Sequence, residues 1–166
     1  EQNKKQIKKD MKTIVAITIL LLFFTFNLFS QEQKVTVKKD LVSVDGSAVF
    51  KLVSTNYPDA YTLYNLNNEK LAIFNAQFYS DSKQITPGNP QGRIGYFDIT
   101  FFNADMDKCE IRIVGAKKQL AQLIISENLV KEGKLDETAV KQFCRIHGMK
   151  FSEDRKNSGT TIIINH

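Results

Sequence analysis

The residues with the clearest chemical potential are a cysteine and a histidine near the C-terminus. Cys144 and His147 are three positions apart, a spacing that places both side chains on one face of a helix. An imidazole beside a thiol can activate it as a nucleophile. Both residues, however, belong to the apolar stripe of the predicted helix, and no nearby Asn or Asp would orient the imidazole. A packed cysteine is therefore the preferred interpretation, and no catalytic residue is assigned.

The same cysteine is a candidate for a disulfide bond. Cys109 and Cys144 are the two cysteines of the sequence, and a chain exported to an oxidising compartment can join them. Their bond would close a loop of about 35 residues and stabilise the fold by roughly 3–4 kcal/mol on the chain-entropy estimate. The alternative is that the two side chains never meet, because spacing does not establish geometry.

An acidic segment after the predicted sixth strand begins like a calcium-binding loop. Asn103, Asp105 and Asp107 alternate, but Lys108 stands where an EF-hand needs Gly, and Val114 stands where it needs Glu. An EF-hand is therefore excluded. The two histidines of the chain do not supply a zinc site, so no metal or other cofactor is expected. A weak ion site would use Asp105, Asp107 and Glu110; the alternative is a solvated turn.

An enzyme would need a site assembled from scattered residues. The sequence has no Gly-rich phosphate loop, no nucleophile-elbow motif and no pair of carboxylates at a spacing that would indicate acid–base catalysis. The first candidates for such a hydrolase are Asp98, Glu110, Arg112 and His147. A hydrolase is kept as the alternative function.

Aromatic residues recur along the predicted strands. An exposed subset of such rings would form a platform for a sugar or a peptide. The candidate platform residues are Tyr61, Tyr64, Tyr79 and Tyr96. The alternative interpretation is ordinary core and cross-strand packing.

The N-terminal segment has the layout of a secretory signal peptide. A lysine follows Met11, an apolar run extends from Ile14, and a small residue, Ser30, precedes the polar Gln31. The apolar stretch of about 16 residues is shorter than the roughly 20 that cross a bilayer. The Phe-Ser-Gln ending resembles the leaders of exported bacterial proteins. We expect cleavage near Ser30 and a periplasmic or secreted protein; the alternative is an uncleaved anchor, the only expected contact with a membrane.

The charge of the chain is concentrated in this leader. The full sequence has a formal net charge of +5, from 23 Lys and Arg and 18 Asp and Glu. Residues 1–30 contain five of these lysines and two of these acids, which leaves 18 basic and 16 acidic residues, or +2. The mature chain carries no basic stripe, so a nucleic-acid partner is not expected.

Seven segments after the leader alternate as strands do. The Asp45-Gly46 pair between two of them predicts a tight hairpin. The predicted strands are Lys34–Lys38, Leu41–Val44, Ala48–Val53, Ala60–Leu66, Lys70–Tyr79, Ile94–Asn103 and Lys108–Val114. The polar segment 80–92, with its prolines and glycines, is predicted to be a long loop, where function is often located.

The pattern then changes to that of helices. Helices are predicted at Lys117–Lys131 and Asp136–His147, joined by a short link as a helical hairpin. Together with the strands they predict an α+β domain over residues 31–150, with the helices packed on one face of a largely antiparallel sheet of about six to seven strands. Residues 151–166 are predicted to be a loose polar tail in which Thr160–Asn165 adds a last edge strand.

The sequence therefore predicts an exported, non-enzymatic binding or envelope-accessory module. Its partner is an unidentified protein or small ligand, bound through a sheet face, an edge strand or the 80–92 loop.

Overall fold

The computed structural model describes residues 33–55 and 60–157. Within them, seven strands form one antiparallel sheet in which each strand pairs with the next along the chain. The strands are β1 Val35–Lys38, β2 Leu41–Val44, β3 Ser47–Ser54, β4 Tyr61–Tyr64, β5 Lys70–Ser80, β6 Arg93–Phe101 and β7 Lys108–Arg112. The predicted α+β class and the strand-first order are confirmed.

The β2–β3 hairpin shows why sequence and fold agree here. Asp45 and Gly46 have φ values of 50° and 86°, the left-handed pair that a tight two-residue turn requires. The Lys34 backbone N–H donates to the Asp45 carboxylate at 3.0 Å, and the Asp45 N–H donates to the Lys34 carbonyl at 3.1 Å. The turn is thus fixed to the start of β1 as well as to its own hairpin.

One face of the sheet carries the main core. Directly opposed residues share a face in an antiparallel sheet, and Leu63 of β4 lies between Leu52 of β3 and Ala72 of β5. A neighbouring row on the same face consists of Phe74, Ile99 and Cys109 of the last three strands. The buried members of this face are Val35, Val42, Phe50, Leu52, Leu63, Ala72, Phe74, Phe97, Ile99, Phe101, Cys109 and Ile111.

Two helices cover this face. Helix α1, Lys117–Ser126, contributes Leu120, Ala121 and Ile124 to the core, and helix α2, Glu137–His147, contributes Val140 and Phe143. Asp136 caps α2 as predicted, because its carboxylate accepts the Ala139 backbone N–H at 2.9 Å.

The connection between the helices differs from the prediction. Helix α1 ends at Ser126, not Lys131, and two short strands follow, β8 Val130–Lys131 and β9 Lys134–Leu135. Glu132 and Gly133 between them have φ values of 51° and 77°, which again form a tight hairpin turn. A small β-hairpin thus replaces the short link predicted between the helices.

The chain then crosses the open edge of the sheet. The Glu110 backbone N–H in β7 donates to the Gly148 carbonyl at 2.8 Å. Helix α3, Lys150–Asn157, follows, and its Phe151 stacks on Tyr96. Tyr96 neighbours the core residue Phe97 in β6, so it points to the second face, opposite α1 and α2.

Helix α3 corrects the prediction of a loose polar tail, which is wrong for residues 151–157. Its N-terminal turn is bound by Glu110, a residue 42 positions earlier, and a contact over that distance leaves no local sequence signal. The predicted strand Thr160–Asn165 and the leader lie outside the described residues. Among those that are described, no helix is long and apolar enough to cross a membrane.

Candidate functional site

Two carboxylates face each other on the second face of the sheet. Asp98 in β6 is directly opposite Glu110 in β7. The Glu110 N–H points outward to Gly148, so the two acids form a non-hydrogen-bonded pair, the type whose side chains approach most closely. Both residues are among the scattered candidates predicted from the sequence, which does not indicate that they are paired. Their pairing follows from the register of the β6–β7 hairpin, which the Asn103–Asp107 turn sets.

This pairing perturbs the titration of Asp98. Burial raises the pKa of Asp98 above its usual range, and the nearby negative charge of Glu110 raises it further. Lys108 and Arg155 act in the opposite direction by attracting the charged form. Asp98 therefore holds a proton more readily than an ordinary aspartate does, which suits it to act as a proton donor or as a hydrogen-bond donor.

Glu110 has a different role, because it holds helix α3. Its side chain is only 1% exposed. The Ser152 backbone N–H donates to one carboxylate oxygen at 2.9 Å, and the Ser152 hydroxyl donates to the other. A negative charge at the N-terminal turn of a helix is favourable, because free backbone N–H groups point towards it. Glu110 thus caps α3 across space.

An aromatic cluster adjoins the acids. Tyr96, 1% exposed, stacks with Phe151 of α3 at a centroid distance of 5.2 Å and an interplanar angle of 12°. Tyr79 meets Tyr96 edge to face at 6.1 Å, and Ile94 completes the cluster. Burial, followed by the charge of Asp154, raises the pKa of Tyr79. We call the surface formed by Tyr79, Ile94, Tyr96, Asp98 and Glu110 the α3-covered site.

The four candidate platform tyrosines do not form one surface. Tyr61 lies on the helix-covered face, where its ring meets Phe97 edge to face at 5.9 Å. Tyr64 lies on the second face, opposite Lys51 of β3. Tyr79 and Tyr96 are on that face too, but they are buried under α3. The structure therefore does not bring the four tyrosines together as one exposed platform.

The candidate metal ligands are also dispersed. Asp105 forms a salt bridge with Lys141 at 2.6 Å, and Asp107 accepts a hydrogen bond from Asn103 at 2.7 Å. Glu110 is turned towards α3 on the second face. Within the described ranges, no three His, Cys, Asp or Glu side chains are grouped to hold a metal ion.

The two cysteines do come together across the β7–α2 interface. Both are free thiols, and the Cys109 thiol is within hydrogen-bonding distance of Cys144. This hydrogen bond raises the pKa of Cys109, as does burial, and it lowers the pKa of Cys144. Cys144 is the more exposed of the two thiols. The structure brings the predicted disulfide partners into contact in their reduced form.

The hydrolase candidates are divided between the two faces. Arg112 is exposed two residues beyond Glu110, so it shares the second face with Asp98. His147 instead belongs to α2, and its ring lies 4.4 Å from that of Phe143 in the main core. The structure therefore brings Asp98 and Glu110 together with Arg112 beside them, and leaves His147 on the other side of the sheet.

The loop between β5 and β6 is ordered by one asparagine. Asn89 accepts the Arg93 backbone N–H at 2.9 Å and donates to the carbonyls of Arg93 and Gln84 at 3.1 and 3.3 Å. Its backbone exchanges two hydrogen bonds with Thr86, at 2.9 and 3.2 Å. A single side chain therefore fixes both ends of the loop tip.

The base of this loop is equally constrained. Asp81 caps a 3-10 helix at Ser82–Gln84 by accepting the Lys83 N–H at 2.9 Å. Gly92 closes the loop with φ at +59°, and a Cβ there would lie 2.2 Å from the Asp81 carbonyl oxygen. Although Ser82 to Gly88 are all exposed, the loop has a defined backbone. It presents Ile85, whose side chain is 56% exposed.

A shallow groove was not anticipated from the sequence. It has a volume of about 560 Å³ and lies between the β4–β5 turn and the β8–β9 hairpin. The buried Asn65 joins its two sides, donating to the Glu69 carboxylate at 2.6 Å and to the Gly133 carbonyl at 3.0 Å. Since Asn65 uses its amide to hold the walls together, its role here is structural.

Compared with known proteins, the chain matches no family model, no curated protein and no solved structure.

Proposed function

We propose that the protein is an exported, non-enzymatic binding module of the cell envelope. Its partner is another protein, which it engages through the loop from Ser80 to Gly92. The observation that supports this proposal is the combination of an ordered loop backbone with an exposed apolar side chain, Ile85, near its tip.

An ordered loop is suited to binding because it loses little conformational entropy when a partner docks. Asn89 and Gly92 hold the backbone of this loop before any partner arrives. An apolar side chain that stays 56% exposed gains favourable free energy when it is covered, about 1.5–3 kcal/mol for complete burial of an isoleucine. Ile85 is therefore the expected anchor of the interface.

Side chains beside the loop would extend the proposed interface. The Ile85 side chain packs over Gly92. At the next residue, the Arg93 guanidinium lies 4.2 Å from the centroid of the Phe78 ring. Arginine and aromatic side chains are enriched among the residues that dominate protein interfaces. A protein surface with an apolar pocket and an acidic rim complements this end of the molecule.

The loop proposal is tested with two matched variants. Ile85→Asp places a charge at the anchor, while Ile146→Asp places one at a 66% exposed isoleucine of α2. Partners captured from native envelope by the wild-type protein are identified by mass, purified and titrated against all three proteins. We expect Ile85→Asp to weaken binding at least tenfold, as loss of about 1.4 kcal/mol or more would, and Ile146→Asp to bind normally. Equal affinity of the three proteins would refute the loop as the binding element.

Export is tested separately, by sequencing the N-terminus of the protein from its native host. The support is the leader from Met11 to Ser30. We expect the mature protein to begin at or within a few residues of Gln31. A membrane-bound species with the leader intact would favour the anchor instead.

One observation favours the alternative function, a small hydrolase. Asp98 and Glu110 are opposed carboxylates in different surroundings, an arrangement from which acid and base roles arise in enzymes. The test is turnover of chromogenic esters and glycosides by the wild-type protein and by Asp98→Asn. Turnover that Asp98→Asn abolishes would replace the binding proposal, while turnover equal in both proteins would remove Asp98 from the chemistry.

A further inference from the structure

Helix α3 has few apolar contacts with the sheet. It has eight residues, a length at which an isolated helix is not stable in water. Its sequence, KFSEDRKN, holds one large apolar side chain, Phe151, and Lys150, Glu153, Asp154 and Lys156 are exposed. Its position is defined by the Phe151–Tyr96 stack, by the two hydrogen bonds from Ser152 to Glu110 and by Arg155, whose charge acts on Asp98. A segment with a single large apolar anchor opens at a lower free energy than the sheet beneath it.

The surface beneath α3 has the composition of a binding site. Tyr79, Ile94 and Tyr96 form an apolar cluster distinct from the main core, and Phe151 is the partly buried residue packed against it. Beside them, Asp98 and Glu110 provide acceptor oxygens in a setting of low exposure. Removal of α3 would leave an aromatic floor next to a carboxylate pair, the mixture of apolar area and a few directed polar groups that ligand sites show.

We propose that α3 is a displaceable internal ligand, and that the α3-covered site binds a segment of a partner protein carrying the same two groups. The partner supplies an aromatic ring that stacks on Tyr96. It also supplies a serine or threonine whose backbone N–H and hydroxyl donate to Glu110. This inference does not rest on the loop at Ser80–Gly92.

The sequence of α3 indicates which kind of partner segment the site would bind. Phe151 and Ser152 are consecutive, so one residue stacks while the next offers two donors to a single carboxylate. A sugar would stack on Tyr96 but would not bring a backbone N–H of a helical turn to Glu110. The pairing therefore favours a peptide that begins a helix with an aromatic residue followed by a hydroxyl residue.

The attachment of α3 allows it to leave without disturbing the sheet. Gly148 ends α2 with φ at +59°, a conformation that glycine adopts readily. Its carbonyl accepts the Glu110 N–H, so the chain stays fixed at the sheet edge while the segment beyond it moves. A tethered segment competes at millimolar effective concentration, so α3 keeps the site closed to weak or dilute ligands.

The experiment uses the full chain and a fluorescent peptide with the sequence of residues 149–157, MKFSEDRKN. Binding is measured by anisotropy to the wild-type protein and to the Phe151→Ala/Ser152→Ala variant, which loosens α3 but keeps the site. Lys150→Ala/Lys156→Ala is the matched control at exposed positions of the same helix. We expect the loosened variant to bind at least tenfold more tightly than the wild type and the control. A peptide with alanine in place of its Phe and Ser should not bind.

Two results would overturn the proposal. The first is a loosened variant that has the wild-type circular dichroism spectrum but does not bind the peptide at millimolar concentration. The second comes from hydrogen exchange on the unmodified protein, where we expect the Ser152 amide to exchange at least 100-fold faster than the Phe101 amide of β6. Equal protection would make α3 an integral part of the fold. Ile85→Asp should leave peptide binding unchanged, so this test and the loop test fail independently.

Discussion

Replacement of Phe143 by alanine tests the architecture most directly. Phe143 of α2 is 2% exposed and lies over the sheet face that carries the main core. Its ring meets Phe101 of β6 edge to face at 6.2 Å and lies 4.4 Å from His147. Removing a buried phenylalanine forfeits the transfer free energy of the ring and leaves a cavity, at a cost of about 3–5 kcal/mol. The edge-to-face contact accounts for roughly 0.5–1.5 kcal/mol within that sum.

The assay is urea denaturation followed by far-UV circular dichroism, because the chain contains no tryptophan. Ile146→Ala is the control, since Ile146 is on the same helix but 66% exposed. We expect the control to change the free energy of unfolding by less than about 0.5 kcal/mol. A loss below about 1 kcal/mol for Phe143→Ala would show that α2 does not pack on the sheet through this residue.

Three further predictions concern the cysteines, the acid pair and the loop. Exported protein, denatured without reductant, should show no reactive thiol, because Cys109 and Cys144 are in contact in the structure; two reactive thiols per chain would eliminate the disulfide. Asp98→Asn should stabilise the protein at pH 7 by up to about 1 kcal/mol, the range for directly opposed like charges. Because folding raises the pKa of Asp98, the stability of the wild type relative to Asp98→Asn should fall as the pH rises above the ordinary value of 3.8. The urea midpoints of the two proteins should therefore differ more at pH 7 than at pH 3.5, and an equal difference at both pH values would contradict this expectation. Gly92→Ala should cost about 1–3 kcal/mol through backbone strain and the clash with a carbonyl oxygen, whereas Gly88→Ala, with open space around it, should be nearly neutral in the same urea assay.

The strands and the helical stripes could be predicted because their signals are local. The period-two pattern and the Asp45-Gly46 turn define the first hairpins, and a buried stripe with a capping Asp136 defines α2. Even the end of α1 had a local signal. Glu132 and Gly133 form the same kind of turn as Asp45 and Gly46. The apolar residues around them are so few, however, that the sequence predicts a helix as far as Lys131 and only a short link after it.

The candidate sites depend on contacts that no local pattern records. Helix α3 forms because Glu110 binds its first turn and Tyr96 receives Phe151, and both partners come from strands about 40 or more positions earlier. The pairing of Asp98 with Glu110 follows from the register of the β6–β7 hairpin. A shift of one residue in that register would place the two side chains on opposite faces of the sheet. The order of the Ser80–Gly92 loop depends on the hydrogen bonds of Asn89, whereas its composition alone indicated only a loop.

The nearest-neighbour order of the seven strands also shapes how the molecule is assembled. Each strand pairs with the one just made, so the sheet can grow hairpin by hairpin, through the short-range contacts that favour rapid folding. Its apolar face, however, is covered only when α1 reaches the first hairpin, where Lys117 pairs with Asp40 from 77 positions earlier at 2.8 Å. Without the helices, the buried face from Val35 to Ile111 would face solvent. We therefore expect the docking of the helices, and not the pairing of neighbouring strands, to be the step that limits the rate of folding.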